Sequence, residues 1–276
     1  MLFDTGAVSR WAHFSNDFNA IHFDLERARL LGVDSLIVHG MLAALTVKQK
    51  VSHAVSEDRS QPASWLRFRT LFRAPVLQDE TLSLAIRSRK EGFQFALKPA
   101  RQESEEALRG TLGPATEGRP VPTGRGGEFG RCSISSDDLQ RLGDFYPGSM
   151  PTWVALDALV FSGFMRSETV SFWRLLEEHA LPRLGRFADP PLVVHSGQTI
   201  WFQSDQLDVV SRGGAIWSAP LSCQVMAIDV EPFASDTRKT LAITVTIEVS
   251  SADETLMIVD HGIYMIAPIG ADYMLE

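Results

Sequence analysis

The chain has 276 residues, a hydrophobic fraction of 45%, a charged fraction of 22% and a formal net charge of −8. That length suits two modest domains, and the composition is ordinary for a globular protein. The negative charge excludes a general electrostatic footprint for nucleic acid but still permits a locally bound anionic carrier such as CoA.

The two cysteines, Cys132 and Cys223, lie far apart in sequence. They form no CxxC pair and no disulfide framework, which fits a reducing compartment. The opening "MLFDTGAVSRWAH" has no basic region followed by an apolar run. No stretch approaches the ~18 apolar residues needed to cross a bilayer. The expectation is a cytoplasmic protein with no nucleic-acid and no membrane partner.

In chain order, Val8, Trp11, Ala12 and Ser15 are spaced for a helix over about Asp4–Asn16. "FDLERARLLG" predicts a second, short helix stopped by Gly32. "MLAALTVKQKVSHAV" places Leu42, Leu45, Val47, Val51 and Val55 roughly on one face and predicts a long, largely buried helix. The period then changes to two, and "WLRFRTLF", "TLSLAIRSRK" and "FQFALKPA" read as strands. Gly and Pro dominate Gly110–Gly130, which reads as a linker. Beyond it the order repeats. "SSDDLQRLGDF" opens with capping residues, and "PTWVALDALVFSGFM" and "SETVSFWRLLEEHAL" are helical. "PLVVHSGQTIWFQ", "SAPLSCQVMAIDV", "KTLAITVTIEV" and "TLMIVDHGIYMIA" are strands, and His195 and His261 fall on them as packing residues. Helices followed by antiparallel strands, twice over, predict an α+β chain of two related modules.

The segment "FSNDFNAIHFD" carries Asp17 and His22 five positions apart. In a continuous helix they would diverge by about 140°. They meet only if the chain bends, and Asn19 and Ala20 stand where it would; Asn accepts turn geometry. Together a carboxylate and an imidazole can hold a water and move its protons. Apart, they are a helix-end Asp and a surface His. In "IVHGM", Gly40 stands at the start of the long helix. Its N–H is either an ordinary helix entry or a donor to a developing oxyanion.

"SNDFNAIHFD" followed by "LIVHGML" resembles the (R)-specific enoyl-CoA hydratase (hydratase 2, MaoC-like) family. That pattern is Ser/Thr-Gly-Asp-x-Asn-Pro-Ile/Leu-His-x-Asp, then Ala-His-Gly-Met. Ser15, Asp17, Asn19, Ile21, His22, Asp24, His39, Gly40 and Met41 match it, and "FRAPVLQDETL" resembles a third segment. Asn16, Ala20 and Gln78 replace the family's Gly, Pro and late Gly. The helix starts almost at once where the family usually has a leading strand, so that strand is expected to be missing and its sheet edge to be covered by something else. The resemblance implies a hot-dog fold, Asp17 and His22 as the catalytic pair, and Gly40 N–H on the thioester carbonyl. It also implies that Asn19, His39 and Met41 support substrate or loop. "MPTWVALDAL" weakly resembles the 3-hydroxyacyl-carrier-protein dehydratases, with Asp157 at their helix carboxylate and Asp144 where their His would stand.

The expected organisation is a double hot-dog. Residues 1–113 form the catalytic domain, 114–130 a linker, and 131–276 a second hot-dog without its own active site that shapes the acyl tunnel. The expected enzyme is a hydro-lyase on enoyl or 3-hydroxyacyl thioesters. It needs no metal and no cofactor beyond the CoA or phosphopantetheine of its substrate. Its partners are an acyl thioester and an acyl-carrier protein, and the two modules make a pseudo-dimer in one chain that can pair again as a homodimer. The alternatives are a polyketide-type dehydratase/cyclase, a thioesterase, or a non-catalytic acyl-thioester binder.

Overall fold

A computed structural model describes residues 1–57, 64–101, 104–117, 129–168, 170–185, 190–210, 221–233, 238–252 and 254–267. The chain begins with α1 (Thr5–Ser15), capped by the Asp4 carboxylate on Ala7 N–H at 2.6 Å. It ends on Asn16, held at φ 63°. That left-handed conformation favours Gly and tolerates Asn, so Asn16 can stand where the family pattern has Gly. A 3₁₀ turn (Ala20–His22) leads to α2 (Leu25–Arg29), and α3 (Gly40–Glu57) follows.

Four strands come next: β1 (Trp65–Phe72), β2 (Leu82–Arg89), β3 (Gly92–Pro99) and β4 (Leu108–Pro114). The remainder holds β5 (Arg131–Ile134), α4 (Ser136–Phe145), β6 (Met150–Pro151) and α5 (Thr152–Arg166). Then come α6 (Phe172–Leu175), a π-helical turn (Leu176–Ala180), α7 (Leu181–Leu184) and β7 (Leu192–Gln203). A two-residue β8 (Val209–Val210), β9 (Leu221–Phe233), β10 (Thr240–Ser251) and β11 (Glu254–Ile266) complete the described chain.

One antiparallel sheet runs β2-β3-β4-β1-β7-β11-β10-β9-β5. The first four strands lie before the seam, the other five after it, and β1 pairs with β7 across the junction from Trp65↔Gln203 to Leu71↔Gly197. The sheet packs on two long buried helices, α3 and α5. Trp153 of α5 stacks on Phe202 at 4.4 Å and donates its indole N–H to Ser52 Oγ of α3 at 2.9 Å. The class is α+β, a hot-dog arrangement of helix against antiparallel sheet.

The seam begins later than expected. Residues 110–114 belong to β4, so the Gly/Pro signal misled there. A Cβ on Gly110 would sit 1.9 Å from Arg69 O and 2.5 Å from the Phe95 ring. This glycine permits strand contact rather than chain freedom. The end of β4 at Pro114 overlaps the first residue assigned to the linker, and residues 118–128 of that expectation lie outside the described residues. The edge beside β2, expected to lack a covering strand, is partly met by the opening residues. Leu82 N–H donates to Met1 O at 2.7 Å, and Asp79 N–H to Phe3 O at 2.9 Å.

β7 contains the irregularity that shapes the cavity wall. Phe202, Ile200 and Gln198 are buried at period two, but between Gly262↔Gly197 and Ile263↔His195 the register shifts by one. This bulge reverses the alternation. Val193 and His195 are thereby placed on a cavity wall instead of the outer face.

Candidate active site

The stretch after α1 bends at Asn19 and Ala20. The Asn19 side chain accepts Ile21 N–H at 3.4 Å, and His22 N–H closes on Asn19 O at 3.1 Å. Ala20 thus takes part in an ordered 3₁₀ turn without the family's Pro. Asn19 Nδ2 also donates to Val193 O on β7 at 2.8 Å, so this loop is fastened to the far half of the chain. Gln78, in the position of the late Gly, donates from Nε2 to His22 O at 3.0 Å and is buried. Sequence reasoning treated it only as a departure; it holds the loop from below.

Asp17 and His22 are each 5% exposed, and the His22 and His39 rings lie 3.7 Å apart. His22 Nδ1 is 2.9 Å from Ile37 O. A carbonyl only accepts, so Nδ1 carries the proton and Nε2 keeps its lone pair. His39 Nε2 donates likewise to Asp17 O at 2.9 Å, while no protein group among the described residues bonds its Nδ1. His39 therefore ties the start of α3 to the Asp17 backbone. One ligand-capable atom of each of Asp17, His22 and His39 lies within 4.8 Å of the other two.

Burial dominates the electrostatics. It pushes the Asp17 carboxyl up to about 6, against a small opposing effect of the Asn19 N–H. It drives His22 well below the usual imidazole range, helped by His39, and lowers His39 to about 4. Burial also lowers His195 to about 3, with His261 adding to the effect. Near neutral pH all these imidazoles are uncharged.

Asp17, Asn19, His22 and Gly40 line a cavity of about 290 Å³. Its apolar walls include Ile37, Val38 and Phe72 before the seam, and Met165, Phe172, Trp173 and Val193 after it. Gly40 opens α3, whose first N–H groups have no intrahelical partner. A Cβ there would lie 3.1 Å from the Phe72 ring and 3.5 Å from His195 Cβ, so the glycine keeps the wall thin. His195 had been assigned to packing; it lines the cavity, and its Nε2 has no partner among the described residues.

Other named residues are placed elsewhere. Met41 is 1% exposed in the core. Asp24 caps α2 through Glu26 N–H at 2.8 Å. Asp157 is not at the cavity wall. It accepts from Lys48 Nζ at 2.5 Å and from Gln198 Nε2 at 2.7 Å, all three fully buried between α3, α5 and β7. Asp157 is thus a buried, hydrogen-bonded carboxylate in an ion pair between the two long helices, away from the cavity wall. The loop's own aromatics do not wall the cavity: Phe14 is in the core, while Phe18 and Phe23 are 52% and 43% exposed.

This geometry can be set beside known proteins. Residues 5–104 match the family model of the MaoC like domain. The matched MaoC-like segment contains Asp17, Asn19, His22, His39, Gly40 and Gln78. Over 111 residues the chain is 30% identical to "3-hydroxyacyl-[acyl-carrier-protein] dehydratase, mitochondrial" of Arabidopsis thaliana. That alignment takes in 38% of this chain and 64% of the relative, so the chain spans under two thirds of that relative's length. Among solved structures, one described as a "MaoC-like dehydratase" is similar over 95% of this chain and 94% of its own, at 11% identity and TM-score 0.49. The dehydratase domain of RzxB from Pseudomonas fluorescens is similar over 84% and 86%, at 13% identity and TM-score 0.47. Among the described residues, no helix is long and apolar enough to cross a membrane.

Proposed function

We propose that the protein is an (R)-specific hydratase/dehydratase of enoyl and 3-hydroxyacyl thioesters, carried on CoA or an acyl-carrier protein. The observation that carries this reading is the convergence of Asp17 and an Nδ1-anchored His22 beside the first N–H of α3, in a cavity with apolar walls. The MaoC-like match over residues 5–104 and the Arabidopsis relative support it.

In dehydration, His22 Nε2 takes the α-proton, since Nδ1–H is already committed to Ile37 O. Protonated Asp17 gives its proton to the departing β-hydroxyl, which leaves as water. The Gly40 N–H stabilises the enolate-like thioester oxygen between those events. Hydration reverses each transfer, and His22 returns the proton to the α-carbon. The pair works with one proton shared between its members, so the titration belongs to both. Neither step needs a metal or a further cofactor.

The test is crotonyl-CoA or a crotonyl-carrier protein with the purified chain. Loss of enoyl absorbance and formation of the (R)-3-hydroxy product are expected, unaffected by a chelator. Asp17→Asn and His22→Ala should each lower kcat by roughly 10²-fold or more while the circular dichroism is retained. Release of free CoA would identify a thioesterase instead, and chelator-sensitive hydration would mean that Asp17, His22 and His39 hold a metal.

A further inference from the structure

Cys132 and Cys223 are distant in sequence, and both thiols are free. In the fold they are directly opposite, Cys132 in β5 and Cys223 in β9. Val225 N–H donates to Gly130 O, which sets the phase of this ladder. Two residues further along each strand, the cysteines form a hydrogen-bonded pair, whose Cα atoms lie roughly 5.5 Å apart. A disulfide spans Cα separations of ~4.4–6.8 Å, so the strands already stand at bridging distance.

The side chains are also on one side. Opposed residues in an antiparallel pair project to the same face. Cys223 is 1% exposed within the core, and half-buried Cys132 packs on that core. Cys132 Sγ lies 4.0 Å from where a Cβ on Gly163 of α5 would be, so the thiols face the helix. A hydrogen bond between the two sulfurs holds Cys132 below the ordinary thiol range and pushes Cys223 above it. Cys132 is thus both the more acidic thiol and the more accessible one, the features of an attacking sulfur.

We propose that Cys132 and Cys223 form a dithiol site that closes reversibly to a cross-strand disulfide when a two-electron thiol oxidant, such as a diazene, is present. The Cys132 thiolate adds to the N=N bond, forming S–N, and the second nitrogen takes a proton. The Cys223 sulfur then attacks the Cys132 sulfur: S–S forms, S–N breaks, and the Cys223 proton goes to the leaving nitrogen. The two thiols lose two electrons and the diazene becomes a hydrazine. Among the described residues β5 is the edge strand and pairs only with β9, so the bond would fasten the chain leaving the seam to the strand next to that edge.

The experiment treats the native full chain with diamide, then denatures it and alkylates it. Loss of both free thiols is expected, with a monomeric product two hydrogens lighter. A single linked peptide pair containing Cys132 and Cys223 should appear and be reversed by dithiothreitol. Cys132→Ser and Cys223→Ser should each abolish that pair. Persistent thiols, an adduct left on Cys132 alone, a bond between two chains, or a linked pair formed only in denaturant would each overturn the proposal.

Discussion

Asp17 loses its proton near pH 6 because burial opposes its charge. In the proposed mechanism the pair needs one proton, so above about pH 6 kcat/KM should fall by about tenfold per pH unit, in hydration and dehydration alike. A profile that rises through this range would overturn the assignment of Asp17 as the acid. The same shift acts on stability. A carboxyl whose folded value lies above its unfolded one favours the fold below the unfolded value and loses that contribution as pH rises through about 6. Asp17→Asn should therefore melt higher than the parent at pH 8, by an amount equivalent to about 3 kcal/mol at most. Lys48 and Asp157 behave differently, since each neutralises the other out of contact with water. Asp157→Ala leaves the Lys48 ammonium buried without a counter-ion, held by Gln198 Oε1 at 2.6 Å, and should cost roughly 3–5 kcal/mol in urea unfolding, whereas a Lys48→Met, Asp157→Leu double change should cost less. Asp17, Asn19, His22 and Gly40 could be named from the sequence because they fall in two short segments that resemble the MaoC-like pattern; spacing alone left a helix-end Asp and a surface His open. Gln78, His195 and the Lys48–Asp157 pair could not, since each acts through a contact made by distant segments.

The elements were legible wherever a hydrophobic period was clean. The long helices and the strands from Trp65 to Pro99 have it, and the described structure contains them. β4 was misread because glycine has two opposite uses. In a linker it gives freedom; in β4, Gly110 and Gly113 allow neighbouring backbones to close in, with a Cβ on Gly113 meeting Glu91 O at 2.6 Å. Gly110→Ala should thus destabilise by roughly 3 kcal/mol or more, measured by urea unfolding, since the obstacle is the fixed Arg69 carbonyl and not a side chain that can turn away. The β7 bulge defeats a period-two reading for a related reason. One extra residue, with Gly197 and Gly262 beside it, turns His195 from an apparent spacer into a wall of the cavity.

At the scale of the whole molecule, the two sets of helix and strands are joined through β1–β7, and the cavity is walled from both. Trp173 and Val193 also bound a second, largely apolar cavity of about 810 Å³ with Leu176, Leu181, Pro182 and Met265. Trp173 therefore stands between the smaller cavity lined by Asp17 and His22 and a larger apolar one. Trp173→Ala should lower KM for long-chain enoyl thioesters relative to crotonyl thioester with little change in kcat for the short one; equal effects on both would mean that the two spaces do not communicate.

The pairing of β1 with β7 has a further consequence. When two identical chains build a cavity across their junction, every change in a wall is made twice and every catalytic loop faces a copy of itself. Here the Asp17–His22 loop is written once and the opposing wall, Val193, His195 and Tyr264, is written separately. In the proposed function, the wall can drift to fit a new acyl group without altering the proposed acid and base, and the loop can be held unchanged while its surroundings vary. Joining the halves removes the symmetry that would have tied specificity to chemistry.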